Sequence, residues 1–141
     1  MEEKDSLTFK NYQLNAISYF LDYPMHGEAV RARAKFLKLI SPQIREIAEE
    51  RSRLRKELAE KDEKGEPKMK EGGKEFDLTP DNEKKFKEDF LVLLNEDYIV
   101  DILPSNKAAI KEAKKLLEKT TREVLTEDGM IYDAVLDAFE K

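Results

Sequence analysis

Between Val30 and Leu58 the apolar positions of this chain alternate at three- and four-residue spacing. Placing a at 30, 37, 44, 51 and 58, and d at 33, 40, 47, 54 and 61, makes seven of the ten positions aliphatic: Val30, Leu37, Ile40, Ile44, Ile47, Leu54 and Leu58. The exceptions are Arg33, Arg51 and Lys61. Such spacing keeps one seam toward a partner and predicts a helix from Glu28 to Lys61, about 50 Å long at 1.5 Å per residue. Ser41-Pro42 interrupts it, and the missing proline donor should kink the helix or divide it, with Ser41 capping the second part. Arg51, a charge at an a position, is expected to cost stability while fixing register or partner.

The flanking segments carry shorter patterns. Leu7-Thr8-Phe9 reads as a short strand or lead-in, and Asn11 as the N-cap of a helix bearing Leu14, Ile17 and Leu21. Tyr23-Pro24 closes that helix. Residues 62–78 hold four Gly or Pro and few apolar residues, predicting a loop or small hairpin. Thr79-Pro80 then starts a return helix as N-cap and N1, with Phe86, Phe90, Leu93 and Leu94 on its apolar face. The β-branched run Tyr98 to Leu103 predicts a strand whose partner is Leu7 to Phe9. Ser105 is expected to cap a helix with Ile110, Ala113, Leu117 and Val124 inward. Thr126 is expected to cap a last helix carrying Ile131, Val135, Leu136 and Phe139. The predicted fold is mainly α, one domain over 1–141. A long kinked helix forms an antiparallel helical hairpin, with short helices and one small two-stranded β element at its base.

Composition narrows the function classes. Charged residues make up 40% of the chain and hydrophobic ones 40%, the profile of long helices; their helical spacing argues against disorder. With no Cys and a single His, His26 in an apparent turn, neither a disulfide framework nor an ordinary zinc site is expected. No apolar run approaches the roughly 20 residues of a membrane span, and the acidic start Met1-Glu2-Glu3-Lys4-Asp5 is unlike a signal peptide. The cytoplasm is the expected compartment, with no membrane partner.

Motifs for chemistry fail in detail. Gly72-Gly73-Lys74 lacks the earlier Gly and following Ser or Thr of a phosphate loop, since Lys68 and Glu75 occupy those places. Asp62 to Glu66 lacks the alternating oxygen ligands of a calcium loop and reads as a solvated turn. The carboxylates Glu49, Glu50, Glu57 and Glu60 lie on a highly charged helix surface, where nothing predicts burial or raised pKa values. No catalytic residue, metal ligand or cofactor is assigned, and the chain is not expected to be an enzyme.

What remains is charge. The net charge is −5, yet Arg31 to Lys56 carries nine Lys or Arg against three Glu, a local +6. Arg31, Lys35, Lys38, Arg45 and Lys56 fall at b or f positions, and with Arg51 they form the candidate interaction face. An intrahelical pair of Glu49 with Arg53 is expected nearby. Such a face suits an acidic partner protein. The alternative is nucleic acid, through phosphate contacts, although no run of aromatic residues interleaves for base stacking.

Arg31-Ala32-Arg33-Ala34-Lys35-Phe36-Leu37-Lys38-Leu39-Ile40, Glu60 to Pro67, Phe86 to Val100 with Leu94-Asn95-Glu96-Asp97, and Tyr132-Asp133-Ala134 with Ala138-Phe139-Glu140 form a recognisable series. It resembles a small family of uncharacterised phage and prophage proteins of Gram-positive bacteria, over about residues 28–141. Where that family has Ser before the first Arg, this chain has Val30. The resemblance implies a phage-encoded accessory protein acting inside the bacterial cell and carries over no site residue. Together these readings predict a non-enzymatic protein–protein interaction module, monomeric or homodimeric, serving virion assembly or binding a host protein.

Overall fold

The heptad segment folds as one helix. In the computed structural model, which describes residues 5–73 and 75–140, α2 runs unbroken from Glu28 to Leu58 with Pro42 inside it. Met1–Lys4, Lys74 and Lys141 lie outside the described residues, and with them most of the acidic N-terminal stretch and the last residue of Gly72-Gly73-Lys74. The elements are β1 (Ser6–Lys10), α1 (Asn11–Phe20), α2, α3 (Pro80–Leu94), β2 (Asp97–Asp101), α4 (Lys107–Glu118) and α5 (Thr126–Glu140). The fold is mainly α with one small antiparallel sheet, as the spacing predicts.

Pro42 does not divide α2. It is exposed, and the Ser41 hydroxyl, instead of capping a second helix, donates to the Leu37 carbonyl one turn back at 2.6 Å. The helix starts where Gly27 adopts φ +60°, a left-handed conformation that a side chain resists, and the Val30 amide donates to its carbonyl.

Contacts group the chain into two compact units, Met1–Ile44 with Glu96–Lys141, and Arg45–Asn95. In the first, β1 and β2 pair in the register Leu7 with Val100 and Phe9 with Tyr98. Alternation puts Leu7, Phe9 and Val100 on the covered face, and Thr8 and Ile99 outside. Helix α5 packs against α1, β1 and α4. Phe139 lies edge-on to Phe9 at 5.4 Å and 5.7 Å from Phe36 of α2, while Phe20 meets Tyr132 at 5.0 Å. Leu14, Ile17, Leu21, Ile40, Ala113, Leu117 and Val135 complete this core.

Polar side chains tie the elements together. Lys10, not Asn11, is the N-cap of α1, and its amide donates to the Gln13 side chain. Asn11 lies within the helix, buried, and accepts from Gln43 of α2. Arg33 donates to the Leu21 and Tyr23 carbonyls, both at 2.9 Å, where α1 has run out of its own donors. At the end of α4, the Tyr23 and Tyr132 hydroxyls donate to the Leu116 and Leu117 carbonyls, each at 2.6 Å.

The second unit is a helical hairpin. Leu58 meets Asn82, Arg55 meets Glu83 and Arg51 meets Phe86, so α2 and α3 run antiparallel. Thr79 caps α3 as its sequence predicts, accepting from the Asn82 amide. Ala59, Leu78 and Phe86 form the core, with Leu54, Leu58, Phe76 and Phe90 against them. Between the helices, the chain bridges Lys61 to Pro67 and Met69 to Phe76. The Asp62 carboxylate accepts from the Lys64 and Glu66 amides, so the acidic turn uses that group to hold itself.

Four other expectations are revised. Asn106, not Ser105, precedes α4, its side chain bonding the Leu103 amide and the Asp101 carbonyl. Val124 lies between helices and is exposed, and Thr126 is the first residue of α5 rather than the residue before it. Val30 is exposed, whereas Phe36, off the predicted seam, is fully buried.

Burial holds the Tyr23 and Tyr132 hydroxyls above the usual 10.0. The folded state therefore keeps these protons longer than the unfolded chain. Their contribution is complete below pH 10 and is lost as pH rises beyond it. Tyr23→Phe should cost about 1 kcal/mol in denaturant melts and flatten that alkaline loss.

Candidate functional site

Nine cations lie between Arg31 and Lys56, and the fold divides them. Four are engaged within the molecule. Arg33 serves the end of α1. Arg51 pairs with Glu75 at 2.8 Å and lies 5.5 Å from the Phe86 ring. Arg53 pairs with Glu50 and Glu57, and not with the expected Glu49. The i, i+3 and i, i+4 geometry allows either choice, and Glu50 gives the guanidinium two bonds.

Arg55 is the most committed. It is buried, grips Glu83 with two bonds of 2.9 and 3.1 Å, donates to the Phe76 carbonyl and lies 4.9 Å from the Phe86 ring. Its Nε finds no acceptor. Lys70 also lies 3.6 Å from the Glu83 carboxylate. This cluster is structural: two arginines lie against one aromatic ring, and the Glu83 carboxylate that Arg55 grips is already neutralised.

The other five, Arg31, Lys35, Lys38, Arg45 and Lys56, are exposed, and among the described residues no carboxylate lies within ion-pair distance of them. Arg31, Lys35 and Lys38 belong to the first unit, where spacing of four and three residues stacks them on one face of α2. Exposed Val30 and Ala34 run beside them. Arg45 and Lys56 belong to the second unit. Of the six candidate face residues, Arg51 is thus withdrawn by its own partners, Glu75 and Phe86.

Phe36, the aromatic residue of this stretch, is buried and offers no stacking platform. His26 is exposed beside Gly27. Among the described residues no group of three or more His, Asp or Glu is placed to hold a metal ion, and no helix is long and apolar enough to cross a membrane. The heptad reading marked Arg33, at a d position, only as an exception to the apolar seam and left Arg55, at an e position, without a role. Their signal, in retrospect, is arginine rather than lysine at positions bordering apolar ones. No family model, curated protein or solved structure matches the chain.

The Arg55 hydrogen bonds hold the Glu83 carboxyl below its ordinary 4.5, and Arg51 does the same for Glu75. A lowered carboxylate contributes fully above its unfolded value, and the contribution is lost as pH falls through the folded one. The second unit should therefore weaken below about pH 4.5. Glu83→Gln, which leaves Arg55 buried without its counter-ion, should cost about 2–3 kcal/mol in chemical denaturation. Glu75→Gln, at an exposed pair, should cost distinctly less.

Proposed function

We propose that this protein is a non-enzymatic protein–protein interaction module that receives an acidic partner on the N-terminal part of α2. One observation carries the reading: Arg31, Lys35 and Lys38 stand exposed on one helix face, without ion-pair partners among the described residues, beside exposed Val30 and Ala34. A helix with a small apolar strip and a cationic border complements an amphipathic segment edged with Asp and Glu. Charge speeds and orients the encounter, while apolar contact supplies most of the holding energy. The resemblance to phage and prophage proteins extends the proposal to an accessory protein that assists virion assembly or binds a host protein in the bacterial cytoplasm.

Nucleic acid is the weaker reading. Four of the nine cations that suggest it are engaged internally, and the segment's aromatic ring is buried. Phosphate binding by the rest predicts affinity that falls steeply with salt and ignores sequence.

The test is affinity capture from bacterial lysate, with and without nuclease, using the full chain and an Arg31→Glu/Lys35→Glu/Lys38→Glu variant. A stoichiometric protein partner that survives nuclease and is weakened about tenfold or more by the triple reversal is the expected result. Partner loss on nuclease treatment, with direct DNA or RNA binding at about 50 mM salt, would transfer the face to nucleic acid. Capture unaffected by the reversal would remove α2 from the reading.

A further inference from the structure

A second apolar surface with a cationic border lies elsewhere in the first unit. Leu7 on β1, Ile102 beyond β2, Ile110 on α4 and Phe139 on α5 floor an open groove of about 270 Å³. Lys107, Lys111 and Lys114 line it as well, one above another on α4 because they are four and three residues apart. Among the described residues no acidic side chain lines the groove. Glu140 lies 3.8 Å from Lys114 and is itself more than half exposed. Lys111 is exposed, with no carboxylate within ion-pair distance among the described residues.

We propose that this groove is a second docking site, for an acidic peptide segment that seats one apolar anchor side chain over Ile110 and Phe139. Its carboxylates would meet the Lys111 and Lys114 ammoniums. Size selects this occupant. Pockets for whole small-molecule ligands run to about 300–1,000 Å³, and this groove falls short while having room for a leucine or phenylalanine side chain. Interfaces concentrate their binding energy in such anchors. Charge sets the sign: the Lys111 and Lys114 ammoniums on this border favour carboxylates around the anchor and reject a basic segment. The floor is rigid, since Leu7, Ile110 and Phe139 belong to the core, so little ordering is needed on docking. The groove shares no residue with the Arg31, Lys35 and Lys38 face, so either site can fail alone.

Methyl-labelled full-length protein titrated with three synthetic peptides tests the proposal: one with a leucine pair flanked by Glu, one with Ser for Leu, and one with Lys for Glu. The first should shift the methyl resonances of Leu7, Ile102 and Ile110, and the other two should leave them in place. Lys111→Glu/Lys114→Glu, at residues outside the core, should weaken the first peptide about tenfold with an otherwise unchanged spectrum. Equal shifts with the Lys peptide, or unchanged affinity in the double variant, would overturn the electrostatic selection and the proposal with it. So would silence at the groove with shifts at Val30, which would leave the α2 face standing. A response to anionic phospholipid vesicles but to no peptide would assign the groove to a lipid surface and overturn the peptide proposal.

Discussion

Phe139 is the contact on which the first unit depends. Its ring takes Phe9 edge-on and lies against Phe36, so the strand pair, the long helix and the last helix meet at one side chain near the C-terminal end of α5. Each aromatic pair contributes about 0.5–1.5 kcal/mol beyond the area it buries. The position matters more than the sum. A helix end frays unless something anchors its last turn, and in α5 the anchor lies in that turn. The same ring floors the groove beside α4, so the proposed site is formed by packing that the fold requires in any case.

The sequence conveyed periodicity well and direction poorly. Thr79-Pro80, the Leu7–Phe9 pairing with the Tyr98 run, and the Phe86 and Phe90 face were legible because each rests on local chemistry: a cap, a β-branched run, a one-turn repeat. The seam of α2 was legible at Ile40 and Ile47 and failed at Val30 and Phe36. A straight helix drifts about 20° per heptad against a seven-residue ruler, and one helix serving two units need not bury the same stripe in both. The interaction face was half legible. Arg31, Lys35, Lys38, Arg45 and Lys56 are outward as their positions predict, while Arg51 turned to Glu75 and Phe86. The groove was not legible at all, because β1, the segment from Ile102 into α4, and α5, all distant from one another in sequence, contribute its floor.

The division of cations follows from their chemistry. Every internally engaged cation of the Arg31 to Lys56 stretch is an arginine. A guanidinium presents several donors in a fixed plane, so Arg33 can bridge two carbonyls and Arg55 can hold a carboxylate, a carbonyl and a ring face together. An ammonium, strongly hydrated and without that fork, does such work less well and stays in water. The +6 of this segment therefore overstates the field available to a partner.

That division bears on what the exposed cations can recognise. Planar, two-pronged recognition of phosphates or bases draws on arginine, and most arginines of α2 already spend that geometry inside the fold. The cations left outside are mostly lysines, which attract carboxylates from a distance but impose little geometry on them. Selectivity must then come from what stands beside the charge. Val30 and Ala34 flank the α2 face; Ile102 and Ile110 floor the groove. At both places lysines would bring an acidic segment near, and a small apolar surface would decide which segment stays.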